Sequence, residues 1–163
     1  MSNLAAERRD RTRIELKNLV NDRTEMLSQY CLLAGTGNAR GSVDNQQVVN
    51  DNILLQEFCE NLIDYLAKGH FELYQRINDG EERRKDIINL ASEFYPRIAE
   101  TTNYAVDFND EFDKSLKKMG SFDHYGERLS KLGEELAIRF ELEDKLINSL
   151  LASKEDRKEA LSA

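Results

Sequence analysis

Four polar residues stand inside otherwise apolar helical seams: Asp64, His70, Thr101 and Glu143. Carboxylates and an imidazole gathered in a core are the raw material of acid–base catalysis or of a carboxylate-held metal pair. Each is also costly to bury unless it is hydrogen-bonded or ion-paired. A di-iron bundle site needs a Glu-x-x-His pair on each of two helices. The two histidines are His70 and His124, and the residues three before them are Ala67 and Ser121. Neither pair exists, so no metal-ligand set is expected. No Gly-rich phosphate loop, G-x-S-x-G elbow or H-E-x-x-H motif is present, and no catalytic residue or cofactor is expected. Cys31 and Cys59 lie within apolar helical patterns and read as small buried hydrophobes. Asp64, His70 and Glu143 are therefore expected to lie close together in one mostly buried polar cluster. Such a cluster either fixes the register of a core or lines a cleft that meets a partner.

The elements that position these residues are all helical. One proline and eight glycines in 163 residues, with no alternating strand pattern, leave little else. The periodicity predicts helices near 4–33, 46–68, 70–78, 82–118 and 122–152. Leu16, Leu19, Val20, Leu27, Tyr30 and Ala34 mark the first stripe, and Gly35 stops it. Ile53, Leu54, Phe58, Leu62, Ile63 and Leu66 mark the second, which Gly69 ends or kinks. Phe71, Leu73, Tyr74 and Ile77 follow in a short third helix. Ile87, Ala91, Phe94, Ile98, Thr101, Ala105, Phe108, Phe112 and Leu116 recur in steps of three or four, through Pro96. Ser121 is a plausible N-cap for the last helix, whose seam is Tyr125, Leu129, Leu132, Leu136, Phe140, Glu143, Ile147 and Leu150. Four long helices with short connections, and no linker or repeat, predict a single all-α antiparallel bundle over 1–163, frayed at about 1–4 and 153–163.

The net charge of −8 sets the partner class. An acidic chain is repelled by a phosphate backbone, so direct nucleic-acid binding is not expected and a basic protein partner is. No apolar run approaches the ~20 residues that cross a bilayer, so no membrane partner is expected. "MSNLAAERRDRTR" lacks the apolar stretch of a secretory signal, which points to the cytoplasm.

The stretch from Phe58 to Ile77 is the most specific in the chain. Phe58, Cys59, Leu62, Asp64, Tyr65, Leu66, Gly69, His70, Phe71, Tyr74, Arg76 and Ile77 resemble the pattern F-C-x-x-L-[VI]-D-Y-L-x-x-G-H-F-x-x-Y-x-R-I of the Rsd/AlgQ family. A second match, R-F-x-L-E-D-K-L-I, runs from Arg139 to Ile147, and a weaker one holds Tyr95, Pro96, Thr102 and Asp107. The tryptophan that family members carry in the first helix is absent. The resemblance implies a helical-bundle anti-sigma factor, not an enzyme. Its implied partner is the C-terminal region of the primary sigma factor, which reads the −35 promoter element. Asp64, Tyr65, His70, Tyr74, Glu143 and Asp144, which fall in the two strong matches, become the candidates for partner contact or for the polar pocket. The other reading of the same residues is a helical adaptor that answers a small molecule or docks on a metabolic or signalling enzyme.

Overall fold

The computed structural model describes residues 2–35, 45–78, 80, 82–117 and 125–152. They form α1 (Ser2–Ala34), α2 (Asn45–Gly69), a π-helical turn (His70–Tyr74), α3 (Gln75–Asn78), α4 (Lys85–Lys117) and α5 (Tyr125–Leu151), with no strand among them. The predicted Ser121 cap, the loop after Gly35 and the tail from 153 lie outside the described residues.

Each long helix buries one stripe. In α1 it is Leu16, Leu19, Arg23, Met26 and Leu33, steps of three, four or seven that hold one face of a 3.6-residue helix toward the core. Gly35 ends α1 as the sequence implies, its N–H donating to the Cys31 and Leu32 carbonyls at 3.2 Å. In α4, Ile87, Ala91, Ile98, Thr101, Ala105, Phe108 and Phe112 are buried, with Phe94 packed at their edge. In α5 the buried stripe holds Tyr125, Leu129, Leu132, Leu136, Leu146, Ile147 and Leu150. The helix α4 continues through Pro96, which is exposed and outside the packed face.

Neighbouring helices run antiparallel, and cross-helix pairs show the register. Asn61 on α2 donates to Gln29 on α1, whereas Arg76 on α3 reaches back to Thr12 at 2.7 Å and to Glu15. Lys145 on α5 lies over the Phe94 ring, and Arg128 pairs with Glu111 further along α4. Arg97 grips Glu135 with two bonds of 2.8 and 3.2 Å. That hydrogen-bonded guanidinium holds the Glu135 carboxyl below the usual carboxylate range. The connection into α4 is fixed by Arg84, which bonds Glu82 and the Leu150 carbonyl near the end of α5.

Two expectations change. Cys31 is exposed, because its position turns away from the α1 stripe; only Cys59 is buried, and burial pushes its thiol up to about 12. Gly69 closes α2 without breaking the helical path, which runs on into the π-turn. Its φ of −58° and ψ of −43° are α-helical. The chain then widens by one residue, with the Gln75 N–H bonding to the His70 carbonyl. That insertion has a packing reason. Tyr74 lies eight residues after Leu66, which in a regular α-helix would place it about 80° round from that residue. With the extra residue Tyr74 sits in the core at 3% exposure, beside Leu73 and Ile77.

The α1–α5 contact needs a glycine. The Tyr30 ring crosses α5 at Gly133 and its hydroxyl donates to the Leu129 carbonyl at 2.9 Å. A Cβ on Gly133 would fall 2.1 Å from that hydroxyl oxygen and 2.7 Å from the ring. Gly133→Ala is expected to destabilise the bundle by about 1–3 kcal/mol despite alanine's better helix propensity, because the ring must be displaced. Urea unfolding measures this; an alanine variant as stable as the parent would contradict the packing described.

Candidate partner-binding site

The centre of the bundle is polar. Arg139 is 2% exposed and Glu143 fully buried, one turn apart on α5, with Nε donating to Oε1 at 2.6 Å. Arg139 Nη1 donates to Thr102 Oγ1 at 2.6 Å and to Thr101 Oγ1 at 3.3 Å, reaching α4. The other Glu143 oxygen accepts from the Tyr65 hydroxyl of α2 at 2.8 Å. Tyr65 in turn accepts from Arg23 Nε of α1 at 3.0 Å. Arg23 completes the ring by donating to Asp144 at 2.5 Å and lying 4.7 Å over Phe140. One connected set of bonds therefore spans all four long helices. A buried ion pair stabilises little against an apolar isostere, yet removing one partner leaves a stranded charge. Burial, followed by the Glu143 charge, holds the Tyr65 phenol well above its ordinary range, so it stays a donor.

The glycine in the opening motif belongs to this layer. A Cβ on Gly69 would lie 3.5 Å from Arg139 Nη2 and 3.9 Å from Glu143 Oε2. The α2 backbone thus passes directly over the ion pair.

The candidates separate into two groups. Tyr65, Tyr74 and Glu143 are buried, and Asp144 links to Tyr65 and Glu143 through Arg23 with its own side chain 52% exposed. Asp64 and His70 are exposed. The expected buried cluster of Asp64, His70 and Glu143 is therefore corrected: Tyr65, the next residue along the helix, takes the inward position and turns Asp64 outward. His70 begins the π-turn and stacks edge-on against Phe71 at 5.3 Å, away from the carboxylate layer. Arg23, Thr102 and Arg139 complete the layer; Thr102 and Arg139 stand in the matched motifs, but none of the three was among the site candidates. Their signal was in the spacing: Leu16, Arg23 and Tyr30 stand seven apart, as do Leu132, Arg139 and Leu146.

The exposed group frames a groove of about 410 Å³ between α1 and α2. Asp22 and Glu25 line it from α1, and Asp64, Tyr65 and Lys68 from α2. Phe71 and Glu72 close its end, Phe71 with 63% of its surface exposed. Lys68 is held by Asp22, leaving the groove acidic with an aromatic at its end. Among the described residues, no three His, Cys, Asp or Glu side chains gather to hold a metal.

The described residues thus form an all-α bundle with a polar central layer and an acidic, aromatic-ended groove. Residues 2–151 match the family described as regulator of RNA polymerase sigma(70) subunit, Rsd/AlgQ, and the chain belongs to that family. Among its relatives is the Regulator of sigma D of Yersinia enterocolitica, 33% identical over 126 residues, covering 77% of this chain and 73% of that protein. The Regulator of sigma D of an Enterobacter species is 37% identical over 107 residues, covering 63% of this chain and 64% of that protein. No solved structure is significantly similar. The family is one of sigma-factor regulators, not of enzymes. No described helix is long and apolar enough to cross a membrane.

The layer predicts a graded series. Glu143→Ala strands Arg139 in the core and is expected to cost about 3–5 kcal/mol. Tyr65→Phe removes one buried hydroxyl and is expected to cost about 1–2 kcal/mol. Asp144→Ala, at the exposed edge, is expected to cost under about 1 kcal/mol. Chemical denaturation ranks them, and an Asp144 variant weaker than the Glu143 variant would contradict the layer's organisation.

Proposed function

We propose that this chain sequesters the primary sigma factor by binding its C-terminal, −35-reading region, one protein to one. The observation that carries the reading is the acidic groove between α1 and α2, in a chain whose family regulates that sigma factor. A surface that reads promoter DNA is basic, because it must sit against phosphates. A groove walled by Asp22, Glu25, Asp64 and Glu72 competes for the same charges, and the exposed ring of Phe71 supplies the apolar anchor that interfaces concentrate their energy on. Bound sigma is withheld from promoter DNA and from core polymerase, which leaves core enzyme to alternative sigma factors. The activity is stoichiometric and takes place in the cytoplasm, with neither cofactor nor direct nucleic-acid contact.

The six candidates divide the work. Asp64 and His70 meet the partner. Tyr65, Tyr74 and Glu143 hold α2 and its π-turn in place from beneath, and Asp144 ties that support to α1 through Arg23.

The test is purified chain against a purified C-terminal sigma fragment in a calorimeter. A 1:1 complex is expected. Glu25→Lys with Asp64→Lys is expected to weaken it by about tenfold or more while leaving helicity unchanged, and raising salt is expected to slow association as steering is screened over about 8 Å. Absence of both heat and co-elution at micromolar concentration overturns the reading.

A further inference from the structure

The π-turn concentrates several departures from ordinary packing. It holds the exposed ring of Phe71, and its Glu72 and Tyr74 each bury a side-chain oxygen that has no hydrogen-bond partner. Buried polar atoms are nearly always paired, so an oxygen left alone at the wall of a groove needs a reason. Glu72 Oε2 is such an atom, and Glu72 lines the groove. The cations near it are already engaged: Lys68 with Asp22, and Arg76 with Thr12 and Glu15.

We infer that Glu72 is the charge-reading residue of the groove: its carboxylate, one oxygen of which lies out of water without a partner, receives an arginine or lysine side chain of the basic partner, and the π-turn is the device that holds it there. This rests on the reading that the groove binds a basic protein segment. The geometry favours Glu72 over its neighbours. Glu25 and Asp64 are exposed and hydrated, so a cation gains little from them beyond steering. A carboxylate oxygen already withdrawn from water has paid its desolvation cost before the partner arrives, and a charge-assisted bond to it is correspondingly stronger.

The same placement couples binding to protons. Burial first, then the nearby Glu15 charge, raise the Glu72 carboxyl above its ordinary range; Asp22 adds to this, and Lys68 and Arg76 oppose it. Glu15, Asp22 and Glu25 face it from α1, Asp64 and Lys68 from α2 and Arg76 from α3, with His70 outward in its own turn. Because the free protein holds a proton on Glu72 more readily than the bound form does, acidification returns that proton and expels the cation. A raised folded-state value also means that ionised Glu72 weakens the free fold as pH rises through it. Glu72→Gln is therefore expected to fold at least as stably as the parent at neutral pH, which a thermal melt verifies.

The experiment measures the affinity of the sigma C-terminal fragment, and separately of a synthetic arginine-bearing amphipathic peptide, at about pH 7.5 and about pH 5. The parent, Glu72→Gln and the control Glu134→Gln on α5 are compared. Expected are a loss of about tenfold or more for Glu72→Gln at the higher pH, a parent affinity that falls on acidification, and a Glu72→Gln affinity that falls much less. Glu134→Gln should follow the parent. Glu72→Gln binding within twofold of the parent, with the same pH profile, overturns the inference. If sigma binds neither chain while the peptide binds with the expected Glu72 and pH dependence, the sigma reading falls and the role of Glu72 stands. Peptide binding indifferent to Glu72 removes that role as well.

Discussion

The ion pair between Arg139 and Glu143 is the constraint on which the rest depends. Two full charges in the middle of a bundle are tolerable only if every hydrogen bond they can make is supplied in place. Thr101 and Thr102, Tyr65, and through it Arg23 are those supplies, one set from each remaining long helix. Four helices that slide relative to one another lose these bonds together. The layer therefore sets the register that apolar packing alone would leave soft, the best-attested use of a buried polar group.

The partner face follows from this register. With Tyr65 locked inward, Asp64 points out, and the groove beside α1 takes its acidic wall from the same turn of helix that anchors the core. The π-turn extends the logic. Bringing Tyr74 to the core costs an irregular turn, and that turn carries Phe71 and Glu72 along the groove. The core and the groove are thus two sides of α2, and a change in one is felt by the other.

Most of the fold was legible because 3.6-residue periodicity is a strong signal. The stripes of α4 and α5 were read almost residue by residue, and the helix ends agree to within about three residues. The α1 stripe was read less well. Leu27 and Tyr30 are half-buried, and Ala34 is exposed, whereas Arg23, Met26 and Leu33 are buried. A rule that keeps only apolar residues has no place for an arginine at a core position, so Arg23 and Arg139, the latter already in a matched motif, were not read as core residues although each stands seven residues from a leucine. Gly69 misled for the opposite reason. Glycine is a stop signal by propensity, but the helical path runs on through Gly69, where an added Cβ would meet Arg139 and Glu143 only at ordinary contact distance. A π-turn has no sequence signature of its own, and His70 was assigned inward because nothing in a regular helix would rotate it away.

The proposed function makes a spatial claim: that sigma's basic region lies in the groove between α1 and α2. Amide and side-chain NMR shifts of the labelled chain, titrated with the unlabelled sigma C-terminal fragment, test that placement directly. The largest changes are expected at Asp22, Glu25, Asp64, Phe71 and Glu72, with Tyr95 and Val106 on the outer face of α4 unmoved. A complex whose shifts centre on Tyr95 and Val106, and spare the π-turn, would contradict the account.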